Sequence, residues 1–286
     1  MDDKLFPRFP ADASFVAVGD SFTEGLNDAT AAGGFRGWAD RLAGLLAAEY
    51  PGLRYANLAV RGKLLRQIVA EQVPAAAALQ PGLVSLGGGG NDILRPGADP
   101  DSLAELFDVA VARLQESGAR VLMFTMCDTA TFPVFRLLRG KIAAYNMHLR
   151  AIADTRDCYL VDLWSMRFLR RPEAWSVDRL HLTTESHQRV ALRCCEVLGV
   201  PVSDDWRAPL AADLDLPARQ LAGRAAWLAA RRSDVRWARE YLAPWVSRRL
   251  HGTSSGDGRS AKRPSLEVIA PPVTATGGAA GSLRPR

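Results

Sequence analysis

The sequence predicts an α/β fold in which five parallel strands form a sheet between two layers of helices. Short apolar runs typical of buried strands alternate with segments of helical period between residues 14 and 200. Such alternation produces a parallel sheet covered on both faces, which is a three-layer α/β/α sandwich. The chain has 286 residues, of which 48% are hydrophobic, and this is enough for a large core.

The predicted elements follow one another with few interruptions. Strands are expected at 15–18, 54–60, 83–86, 120–126 and 159–163. Helices are expected at 38–50, 64–79, 102–117, 134–154 and 184–198. Pro51-Gly52 ends the first helix, Pro74 is expected to interrupt the second, and Gly199 follows the end of the last.

The pattern changes after Pro201, so we divide the chain into three parts. Residues 1–200 form the α/β domain. Residues 201–250 form a C-terminal helical extension, with amphipathic helices predicted at 218–232 and 233–250 that carry Trp227, Trp237 and Trp245. Residues 251–286 are rich in Gly, Ser, Pro, Ala and Arg without periodicity, which predicts a disordered basic tail.

Charge and cysteine content restrict the class of protein. Residues 205–286 carry 14 basic and 7 acidic side chains, whereas residues 1–204 carry 22 and 24. A basic C-terminal third can contact acidic surfaces, but we interpret it as solvated and expect no nucleic-acid partner. The four cysteines have no metal-ligand spacing and are expected to be reduced thiols. Neither a secretory signal nor a membrane-spanning run is visible, so we expect a cytoplasmic protein without membrane contact.

The first strand ends at a serine. Gly19-Asp20-Ser21-Phe22 follows the apolar run 15–18 directly, which indicates a tight turn that holds the Ser21 hydroxyl at the carboxyl end of a buried strand. Open α/β sheets bind their ligands at that edge. A serine hydroxyl is a poor nucleophile without a neighbouring base, so the question is whether the chain supplies one.

A base and a group that can orient it occur together after the fifth strand. Asp178 and His181 are three residues apart on a predicted loop, a spacing that allows the carboxylate to hold one imidazole nitrogen while the other faces a nucleophile. His187, within the last helix, is the only serious rival among the four histidines. Alone, an Asp-x-x-His pair is more often structural than catalytic.

Two further turns follow strands two and three. Gly87–Gly90 precede Asn91 and Asp92, and the Asn91 amide can donate a hydrogen bond to a developing oxyanion. The rival interpretation, a phosphate-binding loop, lacks the Gly-Lys-Ser/Thr ending and the Gly-x-Gly-x-x-Gly spacing of such loops. Gly62 follows the second strand and can donate its backbone N–H to the same oxyanion, or it is only a turn glycine.

These segments are expected at one edge of the sheet, and their order resembles that of the SGNH hydrolases, also called the GDSL esterase/lipase family. Gly19–Phe22 resembles the nucleophile block, with Phe22 where the family often has Leu. Gly62, Gly89–Asp92 and Asp178–His181 resemble the other three blocks, with Leu182 where many members have Pro. The resemblance covers residues 14–200 and implies a flavodoxin-like hydrolase fold.

The resemblance also implies roles for these residues. Ser21 would be the nucleophile, His181 the general base and acid, and Asp178 the group that orients His181. The oxyanion hole would consist of the backbone N–H groups of Ser21 and Gly62 and the side chain of Asn91. No cofactor and no metal are implied. The expected activity is hydrolysis of a small-molecule, glycan or lipid ester, including deacetylation.

Two alternatives remain open at this point. An acyltransferase would use the same triad with a different acceptor. A non-catalytic binding module would keep the fold and use its basic C-terminal region for binding.

Overall fold

The computed structural model describes residues 13–132, 134–211, 235–250 and 253–271. Its centre is one sheet of six strands in the order β5-β4-β3-β1-β2-β6. The strands are β1 (Ser14–Val18), β2 (Arg54–Asn57), β3 (Leu83–Leu86), β4 (Arg120–Phe124), β5 (Tyr159–Val161) and β6 (Arg263–Val268). β1 to β5 pair in parallel in the flavodoxin-like order, as the sequence predicts.

Helices cover both faces of this sheet. They are α1 (Ser21–Glu24), α2 (Gly37–Glu49), α3 (Leu65–Gln67), α4 (Val73–Ala78), α5 (Gly90–Ile93), α6 (Pro100–Glu116), α7 (Arg139–Thr155), α8 (Thr184–Leu198) and α9 (Ala243–Leu250). α2 and α8 bury one face, where Trp38 is fully buried. α6 and α7 contribute Phe107 and Tyr145 to the other face, which also packs against α3 and α4. The α/β/α sandwich is therefore confirmed.

The helix around Pro74 is continuous but irregular. A π-helical stretch, Ile68–Gln72, separates α3 from α4, and Pro74 is in the first turn of α4. The N–H of Val73 still bonds to the carbonyl of Ile68, so the wider π-helical turn lies just before the proline that disturbs a regular α-helical hydrogen-bond pattern.

Two predictions about the sheet and the tail are wrong. The sheet has six strands rather than five, because β6 pairs antiparallel with β2. β6 lies within residues 251–286, which composition predicts to be disordered, and the described part of that range, 253–271, is ordered up to and beyond the strand. Lys262 explains part of this order: its ammonium donates to the backbone carbonyls of Glu24, Phe35 and Arg36 and lies 2.9 Å from Asp40.

The C-terminal helical extension is described in part. Residues 235–250 are helical, with a π-helical stretch, Ala238–Leu242, before α9, whereas the predicted helix 218–232 lies outside the described residues. Among the described residues, no helix has both the length and the apolar character that crossing a bilayer requires. The division of the chain at residue 200 stays a prediction.

Candidate active site

The predicted site residues lie where the order of the parallel strands reverses. β1 pairs with β2 on one side and β3 on the other, so connections from these strands leave the sheet in opposite directions. This reversal opens a crevice at the carboxyl ends of β1 and β3, where doubly wound sheets bind ligands. Ser21 follows β1 and Asn91 follows β3 at this crevice.

The turn that holds Ser21 is fixed by two side chains. Asp20 caps α1, since its Oδ1 accepts the backbone N–H of Phe22 at 3.0 Å, and Ser21 becomes the first helical residue. The buried amide of Gln72 exchanges two hydrogen bonds with the backbone of Gly19, at 2.7 and 2.9 Å. Gln72 had no sequence signal, because it is 53 residues from the backbone that it binds.

Ser21, His181 and Asp178 form a connected chain of hydrogen bonds. The Oγ of Ser21 lies 2.9 Å from Nε2 of His181, and Nδ1 of His181 lies 2.7 Å from Oδ2 of Asp178. An ionised carboxylate only accepts hydrogen bonds, so Nδ1 carries the proton and Nε2 is the acceptor that faces the hydroxyl. The fold therefore brings together Ser21 and His181, which are 160 residues apart in the sequence.

The carboxylate of Asp178 is held in its charged form. Burial raises its pKa, but the hydrogen bond from the His181 side chain, the electrostatic attraction of that imidazole and the backbone N–H groups of Leu180 and His181 lower it to about 2. Those two amides donate to Oδ1 at 3.0 and 3.1 Å. Asp178 thus stays ionised and acts as a hydrogen-bond acceptor for the imidazole at neutral pH.

The loop around His181 closes without the family's proline. Arg179 has a φ of 54°, the left-handed conformation that the turn requires. The backbone N–H of Ser176 donates to the carbonyl of His181 at 2.8 Å, and Leu182 forms an antiparallel bridge with Trp175. The backbone N–H of Thr183 donates to the carbonyl of Ala174 at 3.1 Å, so backbone hydrogen bonds on both sides of Leu182 close the loop.

Two partners of Asp178 come from distant parts of the chain. The side-chain amide of Asn27 donates to Oδ2 at 2.7 Å, and the indole N–H of Trp237 donates to the backbone carbonyl of Asp178 at 2.7 Å. The Arg179 guanidinium also stacks over the Trp237 ring at 5.2 Å. Neither contact has a local sequence signal, because Asn27 and Trp237 are 151 and 59 residues from Asp178.

The three predicted oxyanion donors line one cavity together with His181. Ser21, Gly62 and Asn91 all contribute to a polar cavity of about 240 Å³. Within the part of the chain that is described, the backbone N–H groups of Ser21 and Gly62 have no acceptor. The Asn91 amide lies 3.1 Å from both Oδ2 of Asp20 and the carbonyl of Lys63, so an oxyanion would replace one of these acceptors.

A second cavity, of about 230 Å³, shares several lining residues with the first. Ser21, Asn91 and His181 line its polar end. The remainder is mainly apolar and aromatic, with walls formed by Phe22, Leu26, Phe124, Met126, Phe132, Phe135, Ile142, Leu163, Leu169, Trp175 and Leu182. The hydroxyl of Ser21 therefore lies between an apolar cavity and a polar one.

The rival histidine has a structural environment. His187 is 1% exposed, accepts the backbone N–H of Trp38 at 3.1 Å and lies 3.4 Å from the carbonyl of Leu26. Burial lowers its pKa to about 4, despite the opposing charge of Asp28. His187 is thus a neutral imidazole that joins α8 to α2. Within the described ranges, no three His, Cys, Asp or Glu side chains come together in a way that could hold a metal ion.

A family model decides how this arrangement is classified. Residues 17–189, more than half of the chain, match the GDSL-like lipase/acylhydrolase family. The chain belongs to the GDSL-like lipase/acylhydrolase family. The resemblance stated from the four sequence blocks is thereby confirmed. No curated protein matches the chain by sequence.

Solved structures support the fold of this GDSL family member. An acetylxylan esterase, Axe2 from Geobacillus stearothermophilus, superposes with a TM-score of 0.57 at 20% identity, over 71% of this chain and 100% of Axe2. TesA superposes with a TM-score of 0.56 at 24% identity, over 65% of this chain and 97% of TesA. LAE5, an α/β hydrolase from the metagenome of Lake Arreo in Spain, superposes with a TM-score of 0.58 at 23% identity, over 68% of this chain and 99% of LAE5. The family makes the protein a hydrolase of the lipase/acylhydrolase kind, and these neighbours support its fold.

Proposed function

We propose that this GDSL hydrolase cleaves a carboxylic ester through an acyl-enzyme on Ser21, with an apolar acyl group larger than acetyl. The observation that supports the mechanism best is the hydrogen-bond chain from Ser21 Oγ to His181 Nε2 and from His181 Nδ1 to Asp178. A nucleophile, a base and an orienting carboxylate in this relation are the parts that serine acyl transfer requires.

The reaction proceeds in two halves. Ser21 Oγ attacks the ester carbonyl while its proton moves to His181 Nε2. The bond from the carbonyl carbon to the alcohol oxygen then breaks, and the alcohol leaves with the proton from His181. Water, deprotonated by His181, attacks the acyl-enzyme, and the bond to Ser21 Oγ breaks as the hydroxyl regains its proton. In both halves the N–H groups of Ser21 and Gly62 and the Asn91 amide stabilise the oxyanion.

The apolar cavity supports an acyl group of several carbons. An apolar cavity of roughly 150 Å³ is enough for benzene, and the cavity beside Ser21 is larger, about 230 Å³. Each methylene moved from water into such a site contributes about 0.8 kcal/mol, which is about a fourfold gain in kcat/KM. Acyl selectivity should therefore rise with chain length until the cavity is filled.

A phosphonate probe tests the nucleophile. We expect a fluorophosphonate to label wild-type protein at Ser21, and we expect Ser21→Ala to remain unlabelled and to hydrolyse no ester. Ser165→Ala is the matched control, since Ser165 is exposed and its hydroxyl donates to the carbonyl of Asp162. Labelling of the Ser21→Ala variant, or an unlabelled but folded wild type, would refute the mechanism.

A chain-length series tests the acyl site. With p-nitrophenyl esters from acetyl to dodecanoyl, kcat/KM should rise past six carbons and then fall. Cys127 lines the cavity, so Cys127→Phe should shorten the optimum while the rate with acetate is retained. Cys127→Ala, which removes only one atom from the wall, should leave the optimum in place. A wild type that prefers acetate over every longer acyl group would contradict the assignment.

A further inference from the structure

The C-terminal segment, defined as the described residues 235–250 and 253–271, approaches the reacting residues from outside the α/β domain. It contacts the candidate site at two places. Trp237 donates to the backbone carbonyl of Asp178 at 2.7 Å. At the other end, the turn 254–257 lies against Gly62 and the residue before it.

The second contact is very close. A Cβ atom built on Gly256 would lie 1.9 Å from the carbonyl oxygen of Arg61, and one built on Gly62 would lie 1.9 Å from Oγ of Ser254. Gly62 also has a φ of 74°. A side chain on Gly256 would meet the Arg61 backbone and push the two chains apart. A side chain on Gly62 would displace the Ser254 hydroxyl and strain a left-handed backbone, so glycine is favoured on both sides of this contact.

The turn 254–257 is itself rigid. The backbone N–H of Ser254 donates to the carboxylate of Asp257 at 2.7 Å, and the N–H of Asp257 donates to the carbonyl of Ser254. The N–H of Gly256 donates to the Ser254 hydroxyl at 3.1 Å. β6 follows a few residues later and is held by β2 and by Lys262. The segment is thus attached at the triad loop, at the Gly62 turn and at the sheet edge.

Between these attachments the segment forms one wall of the polar cavity. The residues of the α/β domain that line the same cavity include Ser21, Gly62, Asn91 and His181. The wall from the C-terminal segment is composed of Glu240, Tyr241, Pro244, Arg248, Thr253, Ser254 and Ser255. A carboxylate, a guanidinium, a phenol and aliphatic hydroxyls therefore line the same cavity as the nucleophile.

We propose that the C-terminal segment forms the leaving-group side of the substrate site and selects esters of hydroxyl-rich alcohols, such as glycerol or a sugar. This inference rests on the proposed ester hydrolysis. With the acyl group in the apolar cavity, the alcohol oxygen points towards the polar one. Glu240 and Arg248 are exposed and form no ion pair within the described ranges. The carboxylate of Glu240 can accept hydrogen bonds from the hydroxyl groups of a neutral polyol, and the guanidinium of Arg248 can donate hydrogen bonds to them.

The experiment uses esters that share an acyl group. Methyl octanoate, 1-octanoylglycerol and 6-O-octanoylglucose form the same acyl-enzyme, so they share one deacylation step. Differences in kcat/KM among them therefore report only binding and acylation, where the alcohol is still attached. Wild-type protein should prefer the two polyol esters over the methyl ester.

Variants of the wall should remove that preference selectively. We expect Glu240→Gln and Arg248→Ala each to lower kcat/KM for the polyol esters about five- to tenfold, while the rate with methyl octanoate stays within twofold. Arg239→Ala is the matched control, because Arg239 is an exposed arginine of the same segment that does not line the cavity. Glu240, Arg248 and Arg239 are all exposed, so these variants are expected to fold.

The outcomes separate this inference from the mechanism on which it rests. Equal effects of Glu240→Gln or Arg248→Ala on all three esters, or no effect on any, would overturn the leaving-group assignment while phosphonate labelling of Ser21 still supports the mechanism. Absence of both labelling and hydrolysis would overturn the mechanism, and this inference with it.

Discussion

Replacement of Asp178 by asparagine tests whether the hydrogen-bond chain carries catalysis, and the structure fixes what the new amide must do. Oδ1 of Asp178 accepts two backbone N–H groups, so an asparagine keeps its oxygen there and places its NH₂ where Oδ2 was. That NH₂ faces Nδ1 of His181 and the amide nitrogen of Asn27, each 2.7 Å from Oδ2. The imidazole must then accept at Nδ1 and carry its proton on Nε2, towards Ser21.

The expected loss is large, because a protonated Nε2 cannot take the proton of Ser21. In serine hydrolases with this triad, the same change lowers kcat by roughly 10⁴-fold, which corresponds to about 5 kcal/mol of transition-state stabilisation. The opposed amides of residues 27 and 178 should also destabilise the fold by about 1–3 kcal/mol. Burst and steady-state kinetics with a p-nitrophenyl ester measure the first effect, and urea unfolding measures the second.

A second substitution separates the two effects. Asn27→Asp in the Asp178→Asn background exchanges the amide and the carboxylate, so residues 27 and 178 again pair as donor and acceptor. We expect stability to recover while kcat stays low, because the imidazole still faces an amide. Retention of more than a tenth of the wild-type kcat by the folded single variant would refute the assigned role of Asp178.

Three further predictions concern other parts of the molecule. Asn91→Ala should lower kcat by roughly 10²–10³-fold with an unchanged circular dichroism spectrum, and a normal turnover rate would exclude Asn91 from the oxyanion hole. Because burial lowers the pKa of His187 from 6.5 to about 4, the unfolded chain binds the proton first as the pH falls. Stability should therefore decrease by about 3 kcal/mol between pH 6.5 and 4, and His187→Gln should flatten this dependence in urea titrations at several pH values. Lys262→Met should lower the free energy of unfolding by about 2 kcal/mol, because the ammonium donates to three backbone carbonyls. Protection from hydrogen exchange should be lost first in β6, and a uniform loss of protection would contradict the anchoring role.

The five parallel strands were predictable because each lies in a short, mainly apolar run that ends at a turn. Hydrophobic period and turn chemistry are local, so Phe15–Val18 and the glycine after it indicate a strand and its end without any knowledge of the rest of the chain. The carboxyl ends of these strands share an edge, and for this reason Ser21 and His181 could be expected near each other.

β6 was not predictable from the same kind of signal. In Arg263–Val268 the side chains of Pro264 and Glu267 are exposed, and no alternation of buried and exposed residues marks the segment as a strand. Its order comes from pairing with β2 and from the Lys262 contacts, both more than 200 residues away in sequence. For the same reason Asn27 and Gln72 gave no signal. Each acts through a hydrogen bond to a residue that is distant in sequence, so the residues around it do not reveal the contact.

The position of β6 joins two structural requirements in one element. β2 would otherwise form an open sheet edge, and β6 covers it. β6 itself contains Pro264, a residue that edge strands tolerate. The same pairing fixes the direction of the chain just before β6, so that the turn 254–257 lies against Gly62. Edge protection and construction of the polar cavity therefore depend on the same backbone pairing. A change that weakens β6 should alter leaving-group selectivity as well as stability, whereas the acyl cavity, which is lined by the α/β domain, should keep its chain-length preference.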